Sequence, residues 1–119
     1  MSDDTDSNKP IDPQKCLRMI AATAPIYAQA KGNRIYCDEY RKSLKAILMQ
    51  EAQTRGVDSA VGQEREAYAD PKYVRHLEAL REAVVQEESL RWKMVAAEAA
   101  VEVWRSQEAS NRMMDRGTQ

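Results

Sequence analysis

The residue types that do chemistry are all present in this chain, but they are not gathered in the patterns that chemistry needs. Its one histidine, His76, has no Cys or second His at metal-ligand spacing, and Cys16 and Cys37 form no CxxC pair. Ser, His and Asp cluster nowhere. The carboxylates sit at helical spacing beside Lys or Arg, as in Glu78–Arg81–Glu82 and Glu87–Arg91. That spacing gives solvated pairs on a helix surface, not acids and bases held in a pocket. There is no glycine-rich phosphate cradle. No catalytic residue, metal site or cofactor is therefore expected, and His76 reads as a packing or surface residue. One segment does have binding character. Lys31, Arg34, Arg41, Lys42 and Lys45 are interleaved with Tyr36 and Tyr40. Cations that track phosphates, with rings that stack on bases without reading them, hold single-stranded nucleic acid. The same pattern also arises when a basic helix pairs with an acidic neighbour, and the stretch Glu78–Glu88 could be that neighbour. No helix-turn-helix or zinc-finger pattern suggests duplex readout.

The elements that must position these residues read as helices. Residues 1–11 (MSDDTDSNKPI) are acidic and polar, without apolar anchors, and are expected to be disordered. Asp12-Pro13 reads as an N-cap followed by a first-turn proline. A first helix is expected over about 13–30, with Leu17, Ile20, Ala21, Ala24 and Ala28 recurring at three or four, and with a kink or split near Thr23 caused by Pro25. Gly32-Asn33 is expected to break the chain before a second helix over about 34–55, which Gly56 terminates. A short helical piece follows at 63–69. Asp70-Pro71 repeats the cap-and-proline signature, and from Lys72 to Met114 there is neither Gly nor Pro. One helix of about 40 residues, roughly 60 Å long, is expected there, over about 71–114.

That last helix is apolar on two sides. Val74, Leu77, Val84, Trp92, Val95 and Ala99 form one stripe, and Leu80, Ala83, Leu90, Met94, Val101 and Trp104 another. A helix apolar on two sides must be covered on two sides. The upstream helices are expected to cover one stripe, with Trp92 buried in a helix–helix seam. Leu80, Leu90, Met94, Val101 and Trp104 are expected to meet a second copy of the chain. The fold class that follows is all-α: an elongated helical hairpin or bundle with one long C-terminal helix, a single domain over 12–119, oligomerising.

Composition agrees with this reading. Of the 119 residues, 43% are hydrophobic, yet Phe is absent and Ala is the commonest apolar residue, so one chain can build only a thin core. The net charge of −1 conceals an uneven layout. Residues 13–55 carry eight cations against Asp38, Glu39 and Glu51, whereas residues 56–90 are acidic. Such asymmetry points to an anionic partner or to complementary contacts between copies. The scattered cysteines suit reduced thiols in a cytoplasm. The acidic N-terminus does not read as a signal peptide, and no apolar run approaches the length that spans a membrane.

Residues 27–105 resemble the UvsY-like recombination mediator proteins of bacteriophages. The resemblance is carried by a basic helix (Tyr40-Arg41-Lys42-Ser43-Leu44-Lys45-Ala46-Ile47-Leu48-Met49-Gln50-Glu51-Ala52), a glycine-containing turn, the segment Glu64-Arg65-Glu66-Ala67-Tyr68, and the long amphipathic helix that ends near Trp104-Arg105. These are loose helical patterns. The resemblance implies a homo-oligomer, ring-like in form, that binds single-stranded DNA and helps load a recombinase onto DNA covered by single-strand-binding protein. It implies the host cytoplasm as the compartment, and Arg41, Lys42 and Lys45 as the DNA contacts. The mild overall acidity departs from that pattern. The alternative from a different class is a non-enzymatic helical assembly or adaptor protein in phage morphogenesis or DNA packaging.

Overall fold

The chain is described by a computed structural model over residues 9–117. The disordered tail expected at 1–11 falls, as far as residue 8, outside the described residues. Three helices make up the fold: α1 (Pro13–Thr54), α2 (Ala60–Ala69) and α3 (Pro71–Gly117). Among the described residues there is no strand. No helix there is long and apolar enough to cross a membrane.

Each helix begins where a short polar side chain can satisfy its free N–H groups. Asp12 Oδ1 accepts from Gln14 N at 3.0 Å and Lys15 N at 3.2 Å. Ser59 Oγ accepts from Gly62 N at 3.0 Å, and Asp70 Oδ1 from Lys72 N at 2.8 Å. α1 ends at Gly56, whose φ of 106° only glycine tolerates without strain. Gly56 N donates to Gln53 O and Val57 N to Ala52 O, both at 3.0 Å, which closes the last turn as a Schellman cap.

The break expected between residues 30 and 34 is absent, and so is the split at Pro25. α1 is one helix of 42 residues with Pro25 inside it. An interior proline removes one hydrogen bond and crowds the carbonyl four residues before it, about 3 kcal/mol in all, and glycine costs about 1 kcal/mol against alanine. Neither is enough to stop a helix whose seam residues on both sides, Thr23 and Ala30, are buried. The short piece expected at 63–69 begins three residues earlier, at Ala60, because Ser59 caps it.

The chain divides into two compact units, Met1–Ile26 with Leu90–Gln119, and Tyr27–Ser89, where the sequence suggests one domain. In the unit of residues 27–89, α1 and α3 run antiparallel, because Arg34 meets Glu87 while Glu51 meets Lys72. Its core is small: Leu44, Leu48, Ala67 and Tyr73, with Met49 against them. The seam of α1 here follows Ala30, Arg34, Cys37, Arg41, Leu44 and Leu48, alternating steps of four and three. That of α3 follows Tyr73, His76, Leu80, Ala83 and Glu87 with the same alternation. This is the heptad spacing of a coiled coil, with polar residues at several of its core positions. In the other unit the buried positions are Thr23 and Ala97.

The burial pattern reverses one expectation about the two stripes of α3. Leu80 is half-buried on the row whose His76 and Glu87 contact α1, and in the other unit Leu90, Met94, Val101 and Trp104 are half-buried as well. Of the other stripe, Val74, Leu77 and Val84 are each exposed by 40% or more, Val95 is half-buried, and Trp92 is 58% exposed rather than buried in a seam; Val85, beside that stripe, is exposed too.

Gly32 has open space around the position of a Cβ. Gly32→Ala is expected to raise the stability of the folded chain by about 1 kcal/mol. Leu48, 2% exposed, is expected to cost about 2–5 kcal/mol on truncation to alanine. Urea unfolding followed by circular dichroism measures both.

Candidate nucleic-acid interface

The seven residues singled out by the sequence all lie on α1, but the helix presents them to different surroundings. Arg34 is on the seam. Its Nε–H donates to Glu87 Oε1 at 2.6 Å and its Nη2 to Oε2 at 3.2 Å, a two-pronged bridge to a residue only 7% exposed. That hydrogen bond, reinforced by the charge of Glu87 and opposed by partial burial, holds the guanidinium pKa above its ordinary value. Arg34 is thus a structural cation and not part of an open binding face.

Arg41 also occupies a seam position. Its Nη2 donates to Asp38 Oδ1 at 3.2 Å, while its Nε is buried and finds no hydrogen-bond partner. Lys42 sits over Glu39 at 3.4 Å, and both side chains are more than 60% exposed. Lys45 reaches across to α2. Its Nζ lies 3.6 Å from Glu64 Oε2 and 4.9 Å from the centre of the Tyr68 ring. Hydrogen bonding to Tyr68, opposed by partial burial and aided by the charge of Glu64, raises the Lys45 pKa. Lys31 is exposed. Four of the five cations are therefore engaged by the chain's own carboxylates. The acidic stretch flagged in the sequence supplies only one of those partners, Glu87.

The tyrosines are more available. The rings of Tyr36 and Tyr40 lie nearly parallel, 11° apart with centres separated by 6.0 Å. Tyr36 is 68% exposed, and the pair forms a ledge beside Glu39, Lys42 and Ser43. Behind it, His76 meets the Tyr40 ring edge-on at 5.3 Å. His76 Nε2 lies 2.6 Å from the backbone carbonyl of Cys37. A carbonyl only accepts, so Nε2 carries the proton and His76 acts as a brace that fixes Tyr40.

Two residues outside the sequence-based set join this region. Tyr68 and Tyr73, 5.2 Å apart and edge to face, line a recess with Arg41, Lys42 and Lys45. Glu64 and Tyr68 are one turn apart on α2, so both can face Lys45. That spacing was legible in the sequence; the fold of α2 back onto α1 was not. Among the described residues no group of three His, Cys, Asp or Glu side chains could hold a metal ion, and both cysteines are free. No protein-family model, curated protein or solved structure matches this chain.

Glu87→Gln is expected to lower the melting temperature by several degrees, because it leaves a seam arginine without its countercharge; scanning calorimetry measures this. The pH dependence of Lys45 follows from the sign of its shift. A raised pKa stabilises the fold fully below the ordinary value near 10.5 and fades as pH climbs past the raised one. The stability difference between the wild type and Lys45→Met is therefore expected to be flat between about pH 6 and 9 and to shrink only in stronger alkali, as urea titrations at fixed pH would show.

Proposed function

We propose that this chain is a non-enzymatic accessory protein of the phage recombination-mediator type, which self-associates and holds single-stranded DNA without sequence readout. The observation that carries the reading is the Tyr36–Tyr40 ledge: two stacked rings, one mostly exposed, with Lys42 beside them on the outer side of α1. Bases stack on such rings whatever their identity, and lysines near them track the phosphates. The resemblance of residues 27–105 to UvsY-like mediators supports the same function and suggests a recombinase and a single-strand-binding protein as further partners. Self-association is supported by the exposed apolar residues of α3, where Val74, Leu77, Val84 and the neighbouring Val85 leave apolar surface in water. One ledge grips weakly; several copies on one strand multiply the grip.

A second reading is favoured by a different observation. Because Asp38, Glu39, Glu64 and Glu87 already engage four of the cations, the basic half needs no outside anion. On that reading the chain is a helical assembly or adaptor protein in morphogenesis or DNA packaging, and the exposed apolar residues of α3 are its working surface.

Fluorescence anisotropy with a labelled oligo-dT separates the two. On the mediator reading, Tyr36→Ala with Tyr40→Ala weakens binding at least tenfold, given about 1–3 kcal/mol for each stacked base. Arg41→Glu with Lys42→Glu abolishes it at moderate salt. Affinity untouched by both double variants would rule out DNA binding by this helix. An oligomer mass that falls with salt, together with no DNA binding, establishes the adaptor reading.

A further inference from the structure

The recess on the α2 side of α1 has a composition that the ledge does not share. About 170 Å³ in volume, it is lined by Arg41, Lys42, Lys45, Tyr68 and Tyr73. Three cations and two phenols converge there, and no carboxylate is among the lining residues. Their satisfaction is incomplete. Arg41 Nε has no partner. Lys45 already engages Tyr68, but its ion pair with Glu64 is 3.6 Å, far longer than the roughly 2.7–2.9 Å of a well-formed charge-assisted bond.

The three carboxylates near these cations are not equivalent. Asp38 and Glu39 belong to α1 itself, one turn from Arg41 and Lys42, and travel with them. Glu64 comes from α2, is 50% exposed, and only reaches toward Lys45 from outside. It is the one countercharge that can be displaced without disturbing α1. We propose that this recess is a phosphate site and that Glu64 shields it in the free protein, standing where a phosphodiester oxygen would sit. A phosphate oxygen brought to Lys45 at normal hydrogen-bond length replaces the loose Glu64 contact with a short one, and the Tyr68 hydroxyl lies beside it as a further donor. The inference rests on the single-strand reading above and deepens it: the bases would lie on the Tyr36–Tyr40 ledge and a backbone phosphate in the recess, with Lys42 lining both.

Two probes on the isotope-labelled full chain test this, inorganic pyrophosphate and oligo-dT, each against wild type, Glu64→Gln and Tyr68→Phe. Glu64 is half exposed, and a thermal melt confirms that the Gln variant is folded. The expected result is that pyrophosphate moves the resonances of Arg41, Lys45 and Tyr68. Glu64→Gln should tighten both probes about threefold, the size of a weak surface pair removed, and Tyr68→Phe should loosen both. If oligo-dT binds but Glu64→Gln leaves its affinity unchanged and pyrophosphate moves nothing in the recess, the phosphate site is wrong and the DNA reading stands. If pyrophosphate binds more tightly to Glu64→Gln while oligo-dT never binds, the site stands and the DNA reading falls. Silence toward both probes overturns both. A poly-glutamate peptide that moves the same resonances as strongly as pyrophosphate makes the recess a docking point for protein carboxylates and overturns the phosphate assignment.

Discussion

The bridge between Arg34 and Glu87 is the contact on which the pairing of α1 and α3 in residues 27–89 depends. Much of the seam is built from small or polar side chains, Ala30, Cys37 and Ala83 among them. Small residues pack acceptably in several registers, because each heptad step offers nearly the same fit. A charged pair does not. A slip of one heptad would set Arg34 opposite Leu80 and break its two-pronged bridge to Glu87 in a partly dry seam. Breaking such a pair costs far more than forming it gains, so the bridge selects one register more than it adds stability. His76 on the Cys37 carbonyl sits in the same row and is specific to the same register.

This polar seam explains which parts of the fold could be read from the sequence. The starts of α1 and α3 were legible, because Asp12-Pro13 and Asp70-Pro71 act through bonds within a single turn. Gly56 was legible for the same reason. Pro25 and Gly32 were misleading: their penalties are real and local, but a helix held by seam contacts on both sides absorbs them. The choice between the two apolar stripes of α3 was not legible either. Both have helical spacing, and what assigns the seam is a glutamate and a histidine that no apolar pattern counts as core.

The candidate site was half legible in the same sense. Residue type and spacing marked the Tyr36–Tyr40 ledge, and both tyrosines lie side by side on α1. The cations were marked too, but a sequence shows charge without its counterparts. Arg34 spends its charge on Glu87, and Arg41 and Lys42 lean on the carboxylates one turn before them. Tyr68 and Glu64 enter only because α2 folds back beside Lys45, a tertiary fact with no local signature.

The elbow at Gly56 carries a kinetic consequence. Contacts between α1 and α3 in this unit form a ladder whose rungs lie progressively farther apart along the chain, from Glu51–Lys72, through Cys37–His76 at a separation of 39, to Arg34–Glu87 at 53. The rung nearest the bend closes the shortest loop, and each later rung then adds little further closure entropy. A chain arranged in this way zips outward from its bend. That order of closure rests on both bends that α2 joins, the left-handed turn at Gly56 and the one at Asp70, which together bring α3 back beside α1 in this unit.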